Sequence, residues 1–215
     1  PMFGALIALL SRPGVLPVLV FILIFKLADS SMGFMIKPFW VDSGFTNERI
    51  GLISVNFGLL LSIAGGFAGG WYTDRVGIFK ALWMLGLWQA ISNLGYVVAA
   101  LHIPLQSQGA EIPLAHQALM YSASAIESFT GGLGTAAFLA FLMAIVSKER
   151  STTEYAILSS VFAFSRPNAG WAGGIGAQEM GYANYFFLTF FLAFPAYLLL
   201  GPVKRMLDTA QRSTP

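Results

Sequence analysis

The chain has 215 residues, of which 56% are apolar and only 10% charged, against about 25% charged in ordinary soluble domains. So few charges cannot cover a water-exposed surface, which excludes an ordinary soluble domain, a disordered chain and a fibrous repeat. The sequence contains no cysteine, which excludes disulfide scaffolds, Cys-ligated metal and thiol catalysis, and its net charge of +2 does not point to nucleic acid as a partner.

A bilayer-spanning helix needs about 20 largely apolar residues. Six stretches meet that length, at 15–36, 50–72, 81–100, 118–146, 155–176 and 182–203. Nothing alternates as membrane-barrel strands do, so the expected class is an all-α membrane protein with six transmembrane helices in a single domain over 1–215. The lipid bilayer is then its first partner. The first stretch is too long for a signal peptide and carries Lys26 and Asp29. Thr46 and Glu48 are a start signal for the second span, and Ser151-Thr152-Thr153-Glu154 has the form of a capping box ahead of the fifth. Gly77 and Gly109 mark turns. The pairs Gly65/Gly69, Gly66/Gly70 and Gly170/Gly174 have the spacing of close helix packing, and Gly70 is expected to admit a neighbouring backbone.

Orientation follows from the loop cations. Arg12, Arg75, Lys80, Lys148, Arg150, Lys204, Arg205 and Arg212 fall at one set of helix ends. Only Arg49 falls at the other, with Lys37 near a span end. Both termini are therefore expected on the cytoplasmic side, with the loops at 38–48, 101–117 and 177–181 outside. The outer-loop residues His102, Glu111 and His116 fit no standard zinc spacing, and neither a metal nor a cofactor is expected.

Charges inside spans are costly, about 2.5–3.5 kcal/mol each at the bilayer centre, and face a partner or a watery cavity. They are Lys26 and Asp29 in the first span, Glu127 in the fourth and Arg166 in the fifth. Lys26 and Asp29 share a helix face and read either as a pair that separates on binding or as a permanent ion pair. Glu127 is protonatable and opens a run of small residues, Gly131, Gly132 and Gly134, which makes it a proton-coupling candidate with Asp29. Arg166 suits a carboxylate-bearing ligand, or an acid such as Asp29 or Glu127, and Tyr155, Ser159 and Phe162 lie on its helix face. Pro167 after it suggests a kink. Gln89 and Asn93, four apart on the third span, are polar residues of the kind that hydrogen-bond between helices.

The loop after the second span reads Gly70-Trp71-Tyr72-Thr73-Asp74-Arg75-Val76-Gly77-Ile78-Phe79-Lys80. It resembles the loop signature of the major facilitator superfamily: Gly, three residues, Asp, a basic residue, any residue, Gly, then basic residues. Phe79 departs from the pattern where many members carry a second basic residue. A closer resemblance extends over nearly the whole chain. Phe25-Lys26-Leu27-Ala28-Asp29 with Lys37-Pro38-Phe39, then Gln89-Ala90-Ile91-Ser92-Asn93-Leu94-Gly95, and Glu127 through Phe138 continuing from Thr153 to Arg166 are similar to the C-terminal half of AmpG-type muropeptide permeases and of the related acetyl-CoA transporters. Glu154 stands where those proteins carry Gln.

The resemblance implies one half of a major-facilitator fold, with two inverted three-helix repeats over about 15–100 and 118–203. It implies proton-coupled uptake of anhydro-muropeptides across a bacterial inner membrane, in the cell-wall recycling that feeds β-lactamase induction. An N-terminal six-helix half would be the remaining partner. It gives Asp74 and Arg75 a gating role in the loop that Gly70, Gly77 and Lys80 complete. The intramembrane charges and their helix faces give Lys26, Asp29, Gln89, Asn93, Glu127, Tyr155, Ser159 and Arg166 as candidates for the path of substrate or protons. The sequence offers no nucleophile–base pair and no metalloenzyme motif, so an enzyme is not expected. The alternatives are a carrier of another large anionic metabolite, such as an acyl-CoA, and a membrane receptor that does not transport.

Overall fold

The computed structural model describes residues 7, 9–146 and 151–212, with the backbone alone at 165, 166, 168, 169, 171, 172, 211 and 212. From Val15 onward the described residues form six successive helical rods. The first is α1 (Val15–Phe25) and α2 (Leu27–Asp42), broken only at Lys26. Apolar character is not lost at Pro38, and the helix runs through it to Asp42, beyond the expected end at 36. A single turn, Asn47–Arg49, and a π-helical stretch, Ile50–Phe57, lead into α3 (Gly58–Val76). Thr46 caps this rod, its side chain accepting from the Arg49 N–H. The rods α4 (Ile78–His102), α5 (Leu114–Ile145) and α6 (Ser151–Met180) follow. The last rod is α7 (Tyr182–Leu192), a short turn Phe194–Tyr197, and α8 (Leu200–Arg212), bent by 49° between its two parts.

Four rods among the described residues are long and apolar enough to cross a membrane: Val15–Asp42, Asn47–Val76, Ile78–His102 and Leu114–Ile145. The bent pair Tyr182–Tyr197 and Leu200–Ala210 qualifies together as a fifth. The expected fifth span, 155–176, lies within α6, which has the length but not the apolar run. Arg166, Asn168, Gln178 and Glu179 interrupt it. The expected capping box, Ser151 to Glu154, stands at the first described residues of α6, and the residues before it lie outside the described ones.

Packing separates into two apolar cores with a polar layer between them. Phe21, Phe25, Phe138, Phe141, Leu142, Val203 and Leu207 form the core near the chain ends. Phe25 stacks on Phe138 at 5.3 Å, and Phe21 meets Phe141 edge-on at 5.5 Å. Phe39, Trp40, Phe45, Tyr96, Met120 and Phe186 form the other core. Residues 26–31, 89–93, 124–135 and Thr189 lie between the two in sequence on every rod that contributes, and most of the buried polar side chains fall there.

Glycine contacts join α3 to α5 backbone to backbone. A Cβ on Gly69 would stand 2.7 Å from the Leu133 carbonyl oxygen, and one on Gly65 would overlap the Phe129 carbonyl. A Cβ on Gly132 would overlap the Ser62 carbonyl in return. The pair Gly65/Gly69 thus packs as expected. Gly66/Gly70 does not: a Cβ on either would meet nothing within 4 Å, because both point away from α5. The role expected of Gly70 falls to Gly65 and Gly69. On α6, Gly170 packs on Phe34 but Gly174 faces open space, and Gly173 instead meets the Tyr185 hydroxyl.

Candidate functional site

The break at Lys26 turns its ammonium into the polar layer, where it is 3% exposed. It donates to Asp29 Oδ2 at 3.2 Å and to Gln89 Oε1 at 2.9 Å, joining the first rod to α4. The layer continues through Gln89: Ser92 Oγ donates to the Gln89 carbonyl at 2.6 Å, and Thr130 Oγ1 donates to Ser92 Oγ at 2.8 Å. Asn93 Nδ2 reaches Thr189 Oγ1 at 3.5 Å. Gln89 and Asn93 therefore join helices, as their spacing suggested, and Gln89 also holds a charge. Gln89 lies directly on Gly134, where a Cβ would overlap its Oε1. That oxygen is fixed by Lys26 and cannot swing aside freely. Gly134→Ala is expected to break the Lys26–Gln89 bond and cost about 1–3 kcal/mol, read as a lower thermal unfolding midpoint, while Gly174→Ala leaves it unchanged.

On the other side of the first rod is an open cleft of about 430 Å³ between α2, the Ile50–Val76 stretch and α5. Asp29, Lys37 and Glu127 all line it. Glu127 is partly buried and accepts from Ser128 Oγ at 3.3 Å. Lys37 donates to Ser54 Oγ across the cleft. Sequence reasoning placed Lys37 near a span end, whereas it stands inside α2 and faces the same cleft as the acids. The signal was available: Lys26, Asp29, Gly33 and Lys37 follow helical spacing along one face. Asp29 also lines a second, water-sized cavity of about 10 Å³ with Phe25, Gln89, Asn93 and Tyr197, so it stands between the cleft and the helix-packed interior.

The α6 candidates are only partly brought to the site. Phe162 packs on Phe138 at 5.2 Å and Tyr155 packs into the core near the chain ends. Ser159 donates back to the Tyr155 carbonyl at 2.7 Å. The Arg166 side chain lies outside the described residues, although its helix continues through Pro167.

In the loop between α3 and α4, Gly77 adopts φ +88°, a conformation that favours glycine and permits the tight reversal. Asp74, Arg75 and Lys80 are exposed. The Arg75 guanidinium lies over the Trp71 ring at 4.2 Å, and Asp74 has no ion-pair partner among the described residues. Phe79, the departure from the loop pattern, receives Lys204 of α8 over its ring at 5.6 Å, so the last helix is tied to this loop. The missed residue at this end is Glu154. It is fully buried and holds Arg12 through both oxygens, at 2.6 and 2.8 Å, while Arg12 also donates to the Ile145 carbonyl at 3.1 Å.

A cleft among helices long and apolar enough to cross a membrane, with paired and unpaired charges along its wall, suits passage or binding of a polar solute. No family model matches the chain. A protein of Rickettsia conorii named "Putative transporter AmpG 4" is 30% identical over 183 residues, covering 85% of this chain and 42% of that protein. The "Anhydromuropeptide permease" of Escherichia coli K12 is 29% identical over 192 residues, covering 89% of this chain and 37% of that protein. These relatives are named as transporters and permeases, not as enzymes. The chain spans about two fifths of their length. Over 85–89% of its own length it is homologous to the AmpG-type permeases of the major facilitator superfamily.

Proposed function

We propose that this chain forms the C-terminal six-helix half of a secondary transporter in a bacterial inner membrane, one that carries anhydro-muropeptide inward with protons. The observation that carries this reading is the cleft in which Asp29, Lys37 and Glu127 converge inside an otherwise apolar protein. The relatives' names supply the substrate class. The arrangement of two inverted three-helix repeats is supported by the helix pairings. Exchanging the first three rods for the last three turns the pairing of the second rod with the fourth into that of the fifth with the first. It turns the third with the fourth into the sixth with the first, and leaves the third with the sixth unchanged. All of these pairings occur. The N-terminal half would cover the Asn47–Val76 rod, whose most apolar stretch is only 17% buried here. Termini on the cytoplasmic side put Arg75, Lys80 and Lys204 there as well.

In this scheme Glu127 and Asp29 take up protons in the cleft, Lys26 and Gln89 hold Asp29 in position, and Asp74, Arg75, Gly77 and Lys80 form the loop on which the cytoplasmic side closes. The test is uptake of labelled N-acetylglucosaminyl-anhydro-N-acetylmuramic acid into proteoliposomes bearing the complete protein that carries this chain. An inside-alkaline gradient is expected to drive accumulation. Glu127→Gln or Asp29→Asn is expected to remove gradient-driven accumulation by roughly a hundredfold, as loss of a protonatable group in a proton relay implies. Exchange of labelled for unlabelled substrate should persist. Binding without flux would make the protein a receptor, and gradient-independent accumulation would remove the protons from the scheme.

A further inference from the structure

The two lysines on this face of the first rod differ in their partners. Lys26 is buried and matched by Asp29 and Gln89. Lys37 is exposed to the cleft and hydrogen-bonded to the neutral Ser54 hydroxyl; among the described residues no carboxylate lies within ion-pair distance of it, and Glu127 acts on it only across the cleft. An ammonium bonded to one hydroxyl keeps its charge and two further donors for another partner. Ser54 sits in the π-helical Ile50–Phe57 stretch, an irregularity that frequently marks functional positions. The rest of the wall offers the hydroxyls of Ser62, Ser128 and Thr135 beside Leu59, in a volume suited to a small ligand.

Charge selects the ligand further. While Asp29 holds no proton, Lys26 and Asp29 cancel each other. The remaining charges on the cleft are Lys37 and Glu127. With a proton on Glu127, one positive charge is left unmatched. A singly charged carboxylate balances it, whereas a phosphate dianion would leave an excess negative charge beside Asp29.

We propose that Lys37 anchors the carboxylate of a hydroxyl-rich organic anion, a sugar acid, by exchanging its bond to Ser54 for a charge-assisted bond to the ligand. The proposal rests on the cleft being the transport path. The anion then enters together with the proton on Glu127, and the cleft stays neutral overall. Ser54 is the resting partner that keeps the ammonium extended across the empty cleft.

Two sugars that differ by one O-lactyl group, which carries the carboxylate, test this: N-acetylmuramic acid and N-acetylglucosamine. Their binding is measured on the complete protein carrying this chain in lipid nanodiscs, for wild type, Lys37→Gln, Lys37→Arg and Ser54→Ala. Lys37→Gln is expected to weaken the acid by at least about tenfold, the worth of a hydrogen bond to a charged group, and to leave the neutral sugar unchanged. Lys37→Arg retains acid binding. Ser54→Ala binds the acid at least as tightly as wild type, since the resting partner is gone. The proposal is overturned if Lys37→Gln weakens both sugars alike or neither, or if Ser54→Ala weakens the acid as much as Lys37→Gln does. If wild type binds neither sugar, the transport-path reading falls with it. If it binds both and Lys37→Gln changes nothing, only the assignment of Lys37 falls.

Discussion

Replacing Gly132 with valine is expected to destabilise the protein by about 3 kcal/mol, the upper end of what overpacking costs when the neighbour cannot yield. The neighbour here is backbone: a Cβ at this position would overlap the Ser62 carbonyl and stand 2.9 Å from the Gly66 amide nitrogen. Side chains can change rotamer, but a helix carbonyl can move only if the helix moves. In a membrane, association of helices depends on close packing, because lipid tails are as apolar as the helix surfaces. Loss of this contact therefore has no hydrophobic effect to offset it. The matched control is Gly70→Ala. It lies in the same glycine-rich run but faces open space, and alanine is the better helix former. Thermal unfolding in a mild detergent reads both. A cost for Gly70→Ala equal to that for Gly132→Val would mean that the α3–α5 contact has been misassigned.

Glu154→Ala is expected to cost about 3 kcal/mol, the lower end for breaking a buried ion pair, since the Arg12 side chain is 27% exposed and partly screened. The carboxylate is fully buried, and both of its oxygens accept from the one guanidinium nitrogen Nη2, while Nη1 reaches the Ile145 carbonyl. Arg12→Lys keeps the charge but loses the fork, and with it the bond to the Ile145 carbonyl. Its expected cost is about 1 kcal/mol. A double-mutant cycle on the two positions, read by unfolding midpoints, gives the coupling directly. A coupling near zero would mean that the pair adds nothing to the joint between the turn leading into the first rod, α5 and α6.

What the sequence reveals depends on whether a property is local. The apolar runs that became α3, α4, α5 and α7–α8 were legible because length and polarity are local. So were the Thr46 cap, the turn at Gly77, and the Lys26–Asp29 pair, whose members are three residues apart. The extension to Asp42 lay beyond the expected end at 36; Pro38 stands inside the helix, which a membrane helix tolerates where neighbours satisfy the freed carbonyl. Gly65 and Gly70 could not be told apart, because which one touches α5 depends on how the two helices are rotated about their axes. The bond of Arg12 to Glu154 joins residues 142 positions apart, and no periodicity encodes it. Lys37 was counted as a loop cation for want of a helix end. Once the helix extends past it, the same periodicity that paired Lys26 with Asp29 brings it to the cleft.

The glycine contacts between α3 and α5 have a mechanical consequence. Two helices whose backbones touch, with no side chains between them, have no compliant layer along which to slide. They behave as one stiff plate. Toward the cleft the α2 helix and the Asn47–Val76 rod are joined by the bond from Lys37 to Ser54, while Ile50 and Ile53 share an apolar core with Met32, Ile36, Phe39 and Trp40 at the far end of that seam. Widening of the cleft is thus concentrated between α2 and the stiff plate, and the bond from Lys37 to Ser54 is a latch on its open side that an entering anion can take over.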